Sequence, residues 1–434
     1  MSVKRLVLLC LLWASAGALA SPDIQHWTLD NGVRVYFVES HELPMLQISV
    51  VFDAGSARDP AGRNGLARMT AAMLKEGAGN RDADGIARSF EDRGVQFSVY
   101  SERDMTMLNL RSLSQAELLK PAVGVLRDIL LAPTFPASSL ERERQRALVA
   151  LRQEAESPGA VAEKTFLRVL YGSHPYAHHP AGDEQGLKAL TREDMVRHHQ
   201  EYYVGANAVL AMVGDLSPRQ AKRLARRLAG RLPRGRPAAA LPEVSRPDSA
   251  VEQRMEFPST QTHLRLGQPG MHRKDPDYFP LYIGNHILGG GGLVSRLSKE
   301  IREKHGLSYS VYSYFAPMRV EGPFTMGLQT RNAERDKALT LVRTTLQEFV
   351  DNGPTEEELL AVQKNLTGGF PLRIDSNQNI VGYLAVIGFY DLPLSYLDDF
   401  IPAVQAVTAA QIRDAFRRRI DPDKLVTVVV GGER

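Results

Sequence analysis

Imidazoles are the side chains of this 434-residue chain with the widest chemical reach, and eleven are present. Three sit together in Ser173-His174-Pro175-Tyr176-Ala177-His178-His179-Pro180. Such a trio can hold a metal ion when a further donor fixes the geometry. The flanking prolines predict a stiff structural loop instead. His198 and His199 are neighbours on a predicted helix, so they point in different directions. They read as solvated or interhelical polar residues. The zinc-hydrolase pattern His-Glu-x-x-His needs two imidazoles one helical turn apart. The nearest string, His41-Glu42-Leu43-Pro44-Met45, lacks the second imidazole and carries a helix-breaking proline. The inverted order His-x-x-Glu-His is absent too, because no histidine follows a glutamate. Neither a Gly-x-Ser-x-Gly elbow nor a phosphate-binding loop occurs. The run Gly289 to Gly292 lacks the Lys-Ser or Lys-Thr of a phosphate cradle and reads as a flexible entry to a helix from Leu293 to Lys304.

The elements around these residues follow from composition and repeat. Hydrophobic residues are 43% and charged residues 24%, the balance of a globular protein. A formal charge of +3 speaks against a nucleic-acid partner. Lys4 and Arg5, the apolar Leu6 to Trp13 and the Ala18-Leu19-Ala20 site form an export signal, cleaved after Ala20. Val7-Leu8-Leu9 before Cys10 is too bulky for a lipidation signal, and no segment is long enough for a membrane span. Cys10 is the only cysteine, so an exported, periplasmic chain without thiol or disulfide is expected.

Residues 190–214 and 407–431 align without a gap, Thr191 with Thr408 and Gly214 with Gly431. Each copy reads as a Thr-capped helix, a turn, a β-branched strand and a glycine. Pro133-Thr134 and Pro354-Thr355 echo each other similarly. The chain therefore divides into a first unit 21–231, a Pro- and Ala-rich linker 232–261 and a second unit 262–434. Asp30-Asn31-Gly32 predicts a hairpin turn, and Leu46, Ile48, Val50 and Phe52 alternate as a half-buried strand. Leu66, Met69 and Met73 recur at helical spacing. Val95 to Tyr100 with Asp104 to Leu110 reads as an edge hairpin. The fold class expected is α+β, two homologous units each with an antiparallel sheet and helices on one face.

Residues 288–312, from Leu288 through the glycines to Tyr312, resemble the C-terminal half of pitrilysin/insulinase-type peptidases. Gly65-Leu66-Ala67 with Met73-Leu74-Lys75-Glu76-Gly77 resembles their active-site helix, and Glu141-Arg142-Glu143-Arg144 the start of their second zinc helix. Asn207 to Gly214 resembles the strand closing their first unit. The resemblance implies two units facing each other as halves of a clamshell. It also implies a zinc held by His-x-x-Glu-His, whose places here read Arg68-Met69-Thr70-Ala71-Ala72, and by a distal Glu at about Ala150. No zinc is expected in this chain, with Arg68, Ala71, Ala72 and Ala150 as a degenerate site.

The same resemblance assigns Arg302 and Tyr309, seven residues apart, to a pair that grips the substrate carbonyl. A guanidinium and a phenol aimed at one oxygen would act as an oxyanion-hole-type pair. The function implied is the zinc-less, substrate-binding subunit of an exported heterodimeric metallopeptidase. Its partner would carry His-x-x-Glu-His and the zinc, and its substrates would be peptides. The alternative is an inactive structural or solo peptide-binding protein of the same fold.

Overall fold

The computed structural model describes residues 22–432. The export signal and Cys10 lie outside the described residues.

Two sheets share one plan. The first contains β1 (Gln25–Thr28), β2 (Arg34–Glu39), β3 (Met45–Phe52), β6 (Gln96–Ser101), β7 (Thr106–Leu113) and β8 (Ala208–Gly214). Its order is β1-β2-β8-β3-β7-β6, and the short β4 (Gly77–Ala78) and β5 (Arg81–Asp82) pair separately. The second contains β9 (Val251–Met255), β10 (Ser259–Pro269), β11 (Val311–Phe315), β12 (Pro323–Arg331) and β13 (Val426–Gly432), in the order β11-β12-β10-β13-β9. Both are antiparallel except for one parallel pair each, β2 with β8 and β9 with β13. Leu46 faces Ser112 in the first sheet, and His263 faces Gln329 in the second, both 217 residues further on.

The same residue types do the same local work in both copies. Thr191 and Asp194 form a capping box, as do Thr408 and Gln411, and each satisfies two free N–H groups at a helix start. Gly214 and Gly431 have φ of +142° and +148°. A Cβ at Gly214 would meet the Met45 carbonyl oxygen at 2.1 Å, and one at Gly431 the Thr262 Cα at 2.6 Å. Only glycine lets the closing strand approach so closely.

The strand β3 departs from the alternating expectation, because both of its faces are buried. Ile48, Val50 and Phe52 join a core with the helices of the first half, while Val51 faces a core built mainly by the second half. The cause is an exchange. The Asn377–Tyr390 helix of the second half packs on β8, β3 and β2. The Pro158–Tyr171 helix of the first half packs on β10 and β13. Each helix is capped by a serine, Ser157 and Ser376. Phe389 and Phe166 are at most 1% exposed, so truncating either would cost about 3–5 kcal/mol.

A polar knot ties the β6–β7 turn to the second half. Asp104, 5% exposed, accepts hydrogen bonds from the Tyr176 hydroxyl, the Tyr390 hydroxyl at 2.9 Å and the Arg319 backbone N–H at 2.8 Å. Between the halves, residues 233–250 carry no helix or strand. The stretch read as linker also contains β9 and the start of β10. It lacks alternation because β9 is mostly exposed along its length.

Candidate functional site

The Leu66–Met73 helix starts at Gly65, whose φ of +96° turns the chain into it. Asp59 accepts the Gly65 and Ala67 N–H groups at 2.7 and 2.8 Å. Burial pushes its carboxyl up to about 7, against the pull of these donors. Arg68 and Ala72 on this helix and Ala150 on the Ala137–Ala155 helix line one cavity of about 270 Å³. Ala71 is buried behind them, 1% exposed.

Two carboxylates that the sequence did not mark as site residues reach the same cavity. Glu143 and Glu154 flank Ala147 and Ala150 at spacings of four, three and four, which is one face of a helix. That spacing was the available signal. Glu143 pairs with Arg146 at 2.6 Å, and Glu154 pairs with Lys164. Among the described residues no three His, Cys, Asp or Glu side chains are grouped to hold a metal. The lining offers zinc poor donors: Arg68, Ala72 and Ala150, which the resemblance sets at the ligand places, bring a guanidinium and two methyl groups. Arg68 makes no hydrogen bond or ion pair among the described residues, so the cavity presents a free cation.

The histidine clusters are structural. His174 Nδ1 accepts the Tyr176 N–H at 3.0 Å, and its Nε2 donates to the Pro242 carbonyl at 3.1 Å. His178 is exposed, while burial holds His179 down at about 4. His198 and His199 are shielded rather than solvated, His198 against the loop after β3 and His199 against a neighbouring helix. His199 Nε2 donates to the Leu130 carbonyl at 3.1 Å, and His198 is 3% exposed. Burial lowers both to about 4.

The glycine run serves close packing more than flexibility. A Cβ at Gly289 would meet the Ser313 N at 2.5 Å, and one at Gly291 the His286 carbonyl oxygen at 2.6 Å. The helix expected from Leu293 begins later, because Ser295 is extended and caps the next turn.

Arg302 lies in the last turn of the Ser298–Lys304 helix, which is wound as a π-helix. Its guanidinium sits 4.6 Å from the centre of the Tyr309 ring. Gly306, with φ of +61°, makes the turn that brings them together. Tyr309 is 82% exposed and stands in the loop before β11, not within the strand. Arg302 has no carboxylate partner among the described residues, so both groups are available to a ligand. Arg296 differs. It is bound to Glu358 at 2.6 and 2.8 Å and lies 5.0 Å from the Phe349 ring centre.

Comparison with known proteins identifies the family and the fold. Residues 34–184 match the family described as insulinase (peptidase family M16), and residues 189–366 match the peptidase M16 inactive domain. A crystal structure of a peptidase M16 inactive domain from Pseudomonas fluorescens is 40% identical, with a TM-score of 0.91 over 94% of this chain and 98% of that one. The non-peptidase homologue YmxG of Helicobacter pylori is 26% identical over 100% of this chain and 99% of its own length. A protease from Helicobacter pylori, 19% identical with a TM-score of 0.85 over 95% of this chain and 100% of its own, shares the fold. The chain belongs to the M16, or insulinase, peptidase family, as an inactive-type member.

Proposed function

We propose that this chain is the zinc-less, substrate-binding subunit of an exported heterodimeric metallopeptidase. The observation that carries the reading is the contrast between two sites. The first half holds a cavity where Arg68, Ala72 and Ala150 stand at the places the resemblance gives to zinc ligands, and the second half presents a guanidinium without an ion pair among the described residues, stacked on an exposed phenol. The partner would be a homologue bearing His-x-x-Glu-His, and its zinc would activate the attacking water. Arg302 and Tyr309 would hydrogen-bond the substrate carbonyl as its oxygen gains charge. Arg68, Ala71, Ala72 and Ala150 would take no part in hydrolysis. In this reading the units are 21–231 and 262–434, exported behind the first twenty residues.

Co-expression with each exported His-x-x-Glu-His homologue of the host tests the reading. A pair of about twice the single-chain mass is expected, with zinc in the partner alone and peptidase activity in the pair. Arg302→Ala and Tyr309→Phe should each lower kcat by about 10²–10³-fold without changing assembly or zinc content, about 2.7–4 kcal/mol of transition-state binding. Unchanged kinetics in both variants would remove the catalytic role and leave the solo peptide-binding or structural reading.

A further inference from the structure

The Pro218–Ala229 helix follows β8 and carries five cations, Arg219, Lys222, Arg223, Arg226 and Arg227. Their spacings of three, one, three and one put them on one side of the helix. Ala221, Ala225 and Leu228 on the opposite side are buried, and the helix packs on the Ala116–Leu131 helix and on β2 and β8. Three more cations, Arg231, Arg234 and Arg236, come from the loop that follows. That loop is tied to the first half. Asn31 Nδ2 donates to the Ala229 and Leu232 carbonyls at 2.8 and 2.9 Å. The Gly205 and Ala206 N–H groups donate to the Pro233 and Arg234 carbonyls at 2.7 and 2.9 Å.

All eight cations are exposed, and no Asp or Glu occurs between Asp215 and Glu243. None of the eight forms an ion pair among the described residues. Lys222 lies 5.7 Å from the centre of the Trp27 ring. Basic runs elsewhere in the chain are neutralised in place: Arg144 and Arg146 pair with Glu141 and Glu143, and Arg418 and Arg419 with Asp277 and Asp275. Without the eight, the formal charge of +3 becomes −5, so the charge of the molecule is polarised toward this face. Arg219 and Arg223, and Arg223 and Arg227, stand four residues apart, where like charges oppose a helix. An anionic surface set against them would relieve that repulsion.

We propose that this face docks on a bilayer rich in anionic phospholipid, held by the headgroup phosphates. Lys and Arg clustered along a helix are the pattern that adsorbs to such a surface. The apolar side of the helix is used up by the fold, so the helix lies on the bilayer by charge and does not sink into it. The core of a protein interface is apolar, aromatic and poor in Lys. Among the described residues no large apolar side chain is exposed between 216 and 242, so this face lacks such a core. The inference concerns the first half alone and does not depend on a paired peptidase.

The test is co-sedimentation of the purified mature chain with vesicles of phosphatidylcholine alone, or of phosphatidylcholine and phosphatidylglycerol in equal parts. The chain should sediment with the mixed vesicles at about 0.1 M salt, where charges act over about 10 Å, and come off at about 1 M, where they act over about 3 Å. It should ignore the neutral vesicles. A charge at an anionic surface is worth about fivefold in partitioning, so Arg219→Gln, Arg223→Gln, Arg226→Gln and Arg227→Gln together should weaken binding at least about a hundredfold. That variant should melt no lower than the parent, because it removes like charges one turn apart. Lys75→Gln, Lys337→Gln, Lys364→Gln and Arg413→Gln together remove the same charge from exposed positions elsewhere and should leave binding close to that of the parent. Equal sedimentation with both kinds of vesicle would overturn the proposal. So would an equal loss in the two quadruple variants, which would make net charge responsible rather than this face. Tighter binding of soluble polyglutamate or of a DNA duplex than of the mixed vesicles, at the same salt, would also overturn it and assign the face to an acidic protein or to nucleic acid.

Discussion

The first and second halves are built on the same strand order, and β3 with β7 keeps the register of β10 with β12, yet the halves present their polar groups differently. In the first half the Leu66–Met73 helix closes over a cavity whose free group is Arg68. In the second half the polar groups stand out from the surface, Tyr309 at 82% exposure with Arg302 against it. What recurs between the copies is what any such unit needs to fold: the capping boxes at Thr191 and Thr408, and the positive-φ glycines at 214 and 431. What differs is what a reaction would use. Side chains that hold the repeat together are thus separable from those that act.

The largest effect that could sharpen this comparison is restoring a metal to the first half. Arg68→His, Ala72→His and Ala150→Glu together place two imidazoles one turn apart against a carboxylate on the facing helix. Zinc uptake at micromolar affinity, about 8 kcal/mol of binding, is the expected result by calorimetry, against none for the parent. No uptake in a folded triple variant would mean that Ala150 does not occupy the distal ligand place, and would turn attention to Glu143 and Glu154.

The next effect breaks the two halves apart. Phe389 is buried in the second-half helix that packs on the first sheet, so Phe389→Ala should cost about 3–5 kcal/mol. Because the Pro158–Tyr171 helix crosses the other way, both halves should melt together. Two separate calorimetric transitions in the parent chain would contradict the exchange.

The repeat was legible in the sequence because caps and glycines are local requirements. Arg302 and Tyr309 were legible only through a family resemblance, since a seven-residue spacing across Gly306 does not itself say that two side chains meet. The exchange was not legible. The Asn377–Tyr390 helix buries Ile380, Val381, Leu384 and Ile387 around much of its girth, which shows that it is enclosed but not by which sheet. The burial of His198 and His199 was missed for a related reason: their packing partners, Ala54 and Leu130, are distant in the chain.

Those histidines give the third effect. Both are held at about 4 in the folded chain against 6.5 when unfolded. Between these values the unfolded chain binds protons that the folded chain refuses, so stability falls as pH drops from about 6.5 to about 4. Each should account for about 3 kcal/mol over that interval. Asp59, raised to about 7, acts in the opposite direction, so the reading is the difference between parent and variant. His199→Gln can still donate to the Leu130 carbonyl but does not titrate. Urea midpoints across the interval should show a flatter acid limb; an unchanged limb would mean that His199 is not a buried neutral imidazole.

The smallest effect compares two arginines six residues apart. The bidentate pair of Arg296 with Glu358 and its contact with Phe349 make it structural. Glu358 also accepts the Thr355 N–H at 2.8 Å and so caps its own helix, which leaves Arg296 holding a carboxylate already in use. Arg296→Ala should therefore lower stability by about 1.5–3 kcal/mol, the range for hydrogen bonds to charged groups. In the reconstituted pair its kcat per folded molecule should stay that of the parent. Arg302, with no such partner, should show the reverse: melting within about 0.5 kcal/mol of the parent and a loss confined to turnover. If Arg296→Ala lowers turnover at full folding, the functional surface extends along the whole Ser295–Lys304 segment, and the stack of Arg302 on Tyr309 is only its outer edge.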